Sequence, residues 1–96
     1  ETALDRTDFS GCDLRGADLS RVSARGARFV RADLRGAVLR SARLVHAIMQ
    51  KARIEGADLG LANLFGADLS RSRGAPSDLE GARLARAVVS RRVADG

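Results

Sequence analysis

A large apolar residue recurs at every fifth position along almost the whole of this 96-residue chain. Of the 19 positions in this series, which we call rungs, only Ala24, Gly74 and Ala94 are not large and apolar. An α-helix turns about 100° per residue, so a five-residue step would spread the rungs around the helix. A straight strand would send successive rungs to opposite faces, because its side chains alternate with period two. The chain must therefore bend once in every five residues, as short repeats do in a solenoid.

The positions between the rungs repeat as well. The residue two before each rung is small, and it is alanine in every repeat from Ala27 to Ala67. Eight of the ten glycines lie two residues after a rung, where a tight turn needs a positive φ. The residue before a rung is often Asp or Asn, whose side chain can satisfy backbone groups of a turn locally. We therefore expect the rung and the small residue to point inward and the other three residues to point outward.

Segments 16–20, 56–60 and 66–70, which read GADLS, GADLG and GADLS, resemble the pentapeptide-repeat family, whose motif is A(D/N)LXX. The resemblance covers nearly the whole chain. It implies an all-β fold, a right-handed quadrilateral parallel β-helix in which four repeats, hence twenty residues, make one coil. The 96 residues would then form between four and five coils.

The expected β-helix spans residues 1–91 as a single domain. Arg92 would occupy an inward small position, where an unpaired charge is costly to bury, so residues 92–96 are expected to form a frayed C-terminal end. Around Gly74 and Pro76 the pattern weakens but keeps its register, which predicts a loosened turn.

The single cysteine, Cys12, lies at a small inward position and is expected to be buried like an alanine. A chain with one cysteine has no internal disulfide framework.

No catalytic, cofactor-binding or metal site is predicted. His46 is the only histidine and has no cysteine close in sequence, so the ligands of a zinc site are lacking. The many Asp and Ser residues have a structural explanation at the turns, and the glycines follow the repeat. We therefore expect a protein that is not an enzyme. No apolar segment approaches the ~20 residues of a membrane span, so no membrane partner and a cytoplasmic location are expected.

Residues twenty apart should stack in columns, and two neighbouring columns are basic. Cations about 5 Å apart in water repel by about 0.8 kcal/mol, which solvent and counterions or an anionic partner must relieve. A solvated surface and a site for an acidic protein surface, phosphate or nucleic acid are both open interpretations. We call this candidate partner-binding surface the basic ridge, and it comprises Arg31, Lys51, Arg53, Arg71, Arg73 and Arg91.

A second outer feature is apolar. Val45, Ile48 and Phe65, with His46 nearby, should form an exposed cluster two coils deep, which we call the apolar patch. Scattered surface apolar residues are ordinary, whereas clustering favours contact with a partner or with a second copy of the chain. The ends of the solenoid, where no cap sequence is visible, are a further candidate for homodimer formation.

These features favour a non-enzymatic β-solenoid scaffold that mediates protein–protein interaction, with a partner of acidic surface. One alternative is a DNA gyrase- or topoisomerase-directed protection or modulation factor, as in the resistance branch of the family that the chain resembles. That role implies a DNA-like acidic surface, from which a net charge of +5 departs. Another alternative is a basic nucleic-acid-binding rod, although the chain has no Trp or Tyr to stack on bases.

Overall fold

The computed structural model describes residues 3–89, and for Val89 only the backbone. Parallel pairing joins residues twenty apart: Ala3 pairs with Ser23, Ser23 with Arg43, and Arg43 with Asn63. The same step recurs on all four sides, as thirteen isolated bridges and the parallel pair of strands β1 (Asp68–Leu69) and β2 (Val88–Val89). The predicted right-handed quadrilateral parallel β-helix is confirmed.

Each corner of the coil is a tight turn. The amide three residues after a rung donates to the rung carbonyl, as Ala17 does to Leu14 over 3.0 Å. The residue two after the rung has a positive φ, which is the geometry of a type II turn. This conformation costs a non-glycine residue about 1–2 kcal/mol. Nine non-glycine residues nevertheless adopt it in the described chain: Arg6, Arg21, Arg31, Ser41, His46, Lys51, Leu61, Arg71 and Arg86.

The Asp or Asn before a rung fastens the start of each turn. Its side-chain oxygen accepts a hydrogen bond from the amide two residues later, as in Asp8 with Ser10 at 2.9 Å and Asp58 with Gly60 at 2.9 Å. Eight such bonds occur between residues 3 and 89. The expected local satisfaction of the turn backbone is confirmed.

Rungs and small residues together form one continuous apolar core. Leu34, Leu44 and Leu64 are completely buried within it, and no polar or charged side chain is buried among the described residues. The expectation that every large rung is buried is wrong near the ends. Leu79 and Leu84 are 41% and 39% exposed, because the last described coil has a described neighbour on one side only.

The same end effect overturns the expectation for Cys12. Its thiol side chain is exposed, because the first described coil has a neighbouring coil on only one side.

The loosened turn is confirmed between Arg73 and Asp78. Register is kept, because Asp78 still pairs with Asp58. However, the amide of Ser77 donates a hydrogen bond to the carbonyl of Ala57 at 2.8 Å. In the coil below, the corresponding bond is made by the residue directly before the rung, so the donor here is shifted by one residue. The expected fray at residues 92–96 and the end of the β-helix near residue 91 lie outside the described residues.

Candidate functional site

Five of the six basic-ridge residues come together. Arg31, Lys51 and Arg71 follow one another up a single corner, while Arg53 and Arg73 pair in parallel on the adjoining face. Together these five side chains line a cavity of about 580 Å³, and we call them the basic groove. Successive coils are about 4.8 Å apart, so the corner cations form a closely spaced ladder. The sixth predicted member, Arg91, lies outside the described residues.

The basic groove has no acidic lining. Within residues 3–89 none of its five cations forms an ion pair, and no carboxylate contributes to the cavity wall. The coils below it on the same face differ, because Arg15 lies 2.7 Å from Asp13 and Arg35 lies 2.6 Å from Asp33. The face thus changes from neutral ion pairs to unpaired cations.

The pKa values of the two aspartates reflect this pairing. The side-chain hydrogen bond from Arg15 lowers the pKa of Asp13 from 3.8 to about 2. The corresponding bond from Arg35 lowers the pKa of Asp33. Both carboxylates are therefore charged near neutral pH, and both are paired with arginines of their own turns rather than with groove cations.

A smaller cavity of about 240 Å³ adjoins the groove and was not predicted. Arg35, Arg53 and Arg73 line it together with Glu55 and Gly74. Glu55 lies two residues after Arg53, so the twenty-residue spacing of the columns could have predicted its position beside this cavity. It is the acidic residue of this adjoining cavity, yet it forms no ion pair within the described coils.

The corner position of the groove also strains its backbone. Arg31, Lys51 and Arg71 have φ values of 60°, 60° and 59°, at a position that glycine occupies in many other repeats. Six other non-glycine corner residues of the described chain, including Arg21, adopt the same conformation, so it belongs to the corner position and does not by itself distinguish the groove.

The apolar patch lies around a different corner. Phe65 stands one coil above Val45 and is 37% exposed, while Val45 and Ile48 are half-buried. The His46 ring meets Phe65 edge-on, with centroids 5.8 Å apart and planes at 79°. The imidazole also lies over Gly66, where a Cβ atom would collide with it.

Sequence reasoning missed two further exposed apolar side chains. Val88 is 54% exposed one coil beyond Asp68, and Leu61 is 54% exposed at the corner diagonally opposite the groove. Val88 belongs to the same column as Ile48, so its position could be predicted from the sequence. The exposure of Val88 could not, because it depends on whether another coil covers it.

Within the described part of the chain, no cluster of three or more His, Cys, Asp or Glu residues could hold a metal ion. None of residues 3–89 belongs to a helix with the length and apolar character needed to cross a bilayer.

The repeat pattern matches the profile of the pentapeptide repeats in eight copies, over residues 2–40, 25–60 and 42–73. The chain therefore belongs to the pentapeptide-repeat family. Members of this family are in general non-enzymatic structural or interaction proteins. No curated protein matches the sequence significantly.

Solved structures of the family are similar in fold. A pentapeptide repeat protein from the thylakoid lumen of Arabidopsis thaliana is 30% identical with a TM-score of 0.63, the match covering 98% of this chain and 71% of that one. Rfr23 from the cyanobacterium Cyanothece 51142 is 29% identical with a TM-score of 0.54, covering 93% of this chain and 60% of that one. Trypsin-treated QnrB1, a plasmid-mediated fluoroquinolone resistance protein, is 18% identical with a TM-score of 0.34, the match covering 92% of this chain and 60% of that one. This similarity is too distant to indicate function.

Proposed function

We propose that this protein is a non-enzymatic β-solenoid scaffold, and that its basic groove binds an acidic surface of a protein partner. The observation that carries the proposal is the set of five cations on three successive coils that has no counterion in the described structure. An acidic partner would relieve their mutual repulsion, and its approach would be accelerated by the positive field.

The fold favours this use of the groove. The groove cations stand on backbone that is bonded to the coils above and below, for example from the amide of Lys51 to the carbonyl of Ser70 at 3.0 Å. The backbone positions of the charges are therefore fixed before a partner arrives, which limits the ordering cost of binding to the rotamer freedom of the side chains.

The two alternative functions make different demands on the surface. A nucleic-acid-binding rod also needs cations, but single-strand binding uses aromatic side chains as stacking platforms, and Phe65 lies at another corner. A topoisomerase-directed factor that imitates DNA needs a continuous acidic face, whereas the aspartate columns here are interrupted by arginines, as in the series Asp33, Arg53 and Arg73.

A capture experiment tests the proposal. Wild-type protein and the triple variant Arg31→Glu/Lys51→Glu/Arg71→Glu serve as baits in a nuclease-treated extract of the source cell, and captured proteins are then purified for direct titration. Arg21→Glu is the matched control, because Arg21 has the same turn position and a φ of 61° at the opposite corner. We expect an acidic protein that binds wild type and Arg21→Glu directly, with at least about tenfold weaker binding to the triple variant.

Two results would overturn the proposal. One is a directly binding protein whose affinity is unchanged by the triple variant. The other is that the protein binds only duplex DNA, with an affinity that falls steeply as the salt concentration rises. That result would assign the groove to nucleic-acid recognition.

A further inference from the structure

We infer that the partner contributes one extended polypeptide segment with a large apolar side chain, a short neutral spacer and then a run of acidic residues. This segment lies around the rod, with its apolar residue on the apolar patch and its acidic residues in the basic groove. The inference rests on the proposed function and specifies the partner's chemistry.

The two surfaces border the same side of the solenoid. In the coil that contains Met49, the corner at His46 borders the apolar patch and the corner at Lys51 belongs to the basic groove. The side between these corners contains three residues in extended backbone, so it is about 10 Å wide at ~3.3 Å per residue. One peptide of modest length can therefore reach both surfaces.

The character of the surface indicates a path around the coil rather than along the rod. Outward residues within this coil change from apolar Val45 and Ile48 through neutral Gln50 to cationic Lys51 and Arg53. Along the rod, the column of Ile48 has no such order, because it runs from Asp8 and Arg28 to Ile48, Asp68 and Val88. Only the path around the coil offers an apolar anchor point followed by a continuous positive region.

Asp68 explains why the spacer should be neutral. It pairs in parallel with Ile48 on the side that the segment crosses, and its Oδ2 accepts a hydrogen bond from Gln50 Nε2 at 2.8 Å. The backbone bond from Ser70 is the main cause of its lowered pKa, so Asp68 is anionic near neutral pH. An acidic residue placed over this side would meet a like charge, whereas one in the groove would not.

The apolar patch favours a polypeptide over a nucleic-acid duplex. Phe65 and its His46 neighbour offer a contact for an aliphatic or aromatic side chain, whereas a duplex presents sugars and phosphates outward and keeps its bases stacked inside. Burial of one large apolar side chain is expected to raise affinity at least about tenfold.

The test uses fluorescein-labelled synthetic peptides and fluorescence anisotropy. The full peptide carries a Leu-Phe anchor, a Gly-Ser spacer and a glutamate run, and a second peptide has serines in place of the anchor. We expect wild type to bind the full peptide at least about tenfold more tightly than the anchorless peptide. Phe65→Ser should remove this advantage and leave the anchorless peptide unchanged. Leu61→Ser, at an exposed apolar residue of the opposite corner, should change neither affinity.

A third peptide with a glutamate spacer tests the part assigned to Asp68. It should bind wild type more weakly than the full peptide, and Asp68→Asn should recover most of the difference. Asn63, whose Oδ1 accepts from the amide of Phe65 at 3.1 Å, shows that asparagine keeps the turn bond that Asp68 makes.

The outcomes separate this inference from the function on which it rests. If both peptides bind wild type equally and the triple groove variant binds neither, the two-part segment is wrong and the acidic-partner function stands. If no acidic peptide binds wild type, the extended segment is wrong, and the capture experiment decides the acidic-partner function separately. If Phe65→Asp reduces self-association in sedimentation, the patch belongs to a homodimer and the inference is overturned.

Discussion

Arg40 and Asp78 form an ion pair across two coils, with Arg40 Nη1 3.2 Å from Asp78 Oδ2. The same nitrogen lies 3.4 Å from Oδ1 of Asp58 in the coil between them. The guanidinium group passes over Gly60, where a Cβ atom would collide with Nη1. Gly60 is the one glycine that directly follows a rung, and this close approach explains it.

Gly60→Ala is therefore expected to displace Arg40 from Asp78, an exposed ion pair worth about 0.5–1 kcal/mol. This loss is offset by about 0.4–1 kcal/mol because alanine has less freedom than glycine in the unfolded chain, so little net change in stability is expected. Gly60 does not have a positive φ, so backbone strain does not contribute. The free energy of unfolding in urea measures the effect. In an Arg40→Ala background the ion pair is already absent, so the same substitution should stabilise the protein by about 0.4–1 kcal/mol, and an equal effect in both backgrounds would show that the close approach is irrelevant.

Lys51→Gly should stabilise the fold while weakening binding of the glutamate peptides. It removes a left-handed residue that costs about 1–2 kcal/mol, offset by the greater freedom of glycine in the unfolded chain, so a net gain of about 0.5–1 kcal/mol is expected. Arg21→Gly makes the same change at the opposite corner and should stabilise the protein without affecting peptide binding. Thermal melting and anisotropy provide the two measurements. Weaker binding by both variants would show that net charge, rather than the groove, governs affinity.

Gly74→Leu should destabilise the protein although leucine is the commonest rung residue. Gly74 has a φ of 83°, and a Cβ atom there would come within 2.9 Å of the Cα of Glu55 and 3.0 Å of its amide nitrogen. The cost should exceed about 1 kcal/mol, because backbone at this distance must move and the new residue is also strained. Urea unfolding measures it, and a stability at or above that of wild type would contradict the turn geometry. Leu44→Ala, at a fully buried rung, gives a scale for a core defect of about 2–5 kcal/mol.

Stability should be constant above about pH 5 and fall between about pH 4 and 2. Hydrogen bonding lowers the pKa of several turn aspartates, reaching about 2 for Asp13, where the Arg15 side chain is the main cause. In this window the unfolded chain binds more protons than the folded one, so lowering the pH favours unfolding. Urea titrations at several pH values test this. Asp13→Asn should flatten the slope, and an acid slope identical to that of wild type would exclude Asp13 as a contributor.

Much of the fold was predictable from residues alone. The five-residue period and the corner glycines are local signals that recur in every coil. An irregular repeat, such as the one with Gly74 at its rung, therefore does not shift the register of the next rung, Leu79. The basic groove followed from the same arithmetic, because residues twenty apart, such as Arg53 and Arg73, must lie side by side.

Other features could not be predicted, because they depend on what covers a residue in space. Cys12 occupies the same repeat position as the buried Ala52, yet it is exposed in the first described coil. The absence of ion pairs around Lys51 within the described coils likewise depends on where neighbouring carboxylates point, and Asp33 is held by Arg35.

The sequence by itself determined the five-residue repeat and its inward and outward positions. The resemblance to pentapeptide repeats then implied the four-sided coil and the column of each side chain, because residues twenty apart lie in register when four repeats make one coil. Only the tertiary structure decided which charges are neutralised. Arg40 reaches Asp58 and Asp78, and Arg15 reaches Asp13, whereas the groove cations reach no carboxylate in the described chain. The physical reason is that pairing depends on side-chain reach across coils, which the order of residues along the chain does not specify.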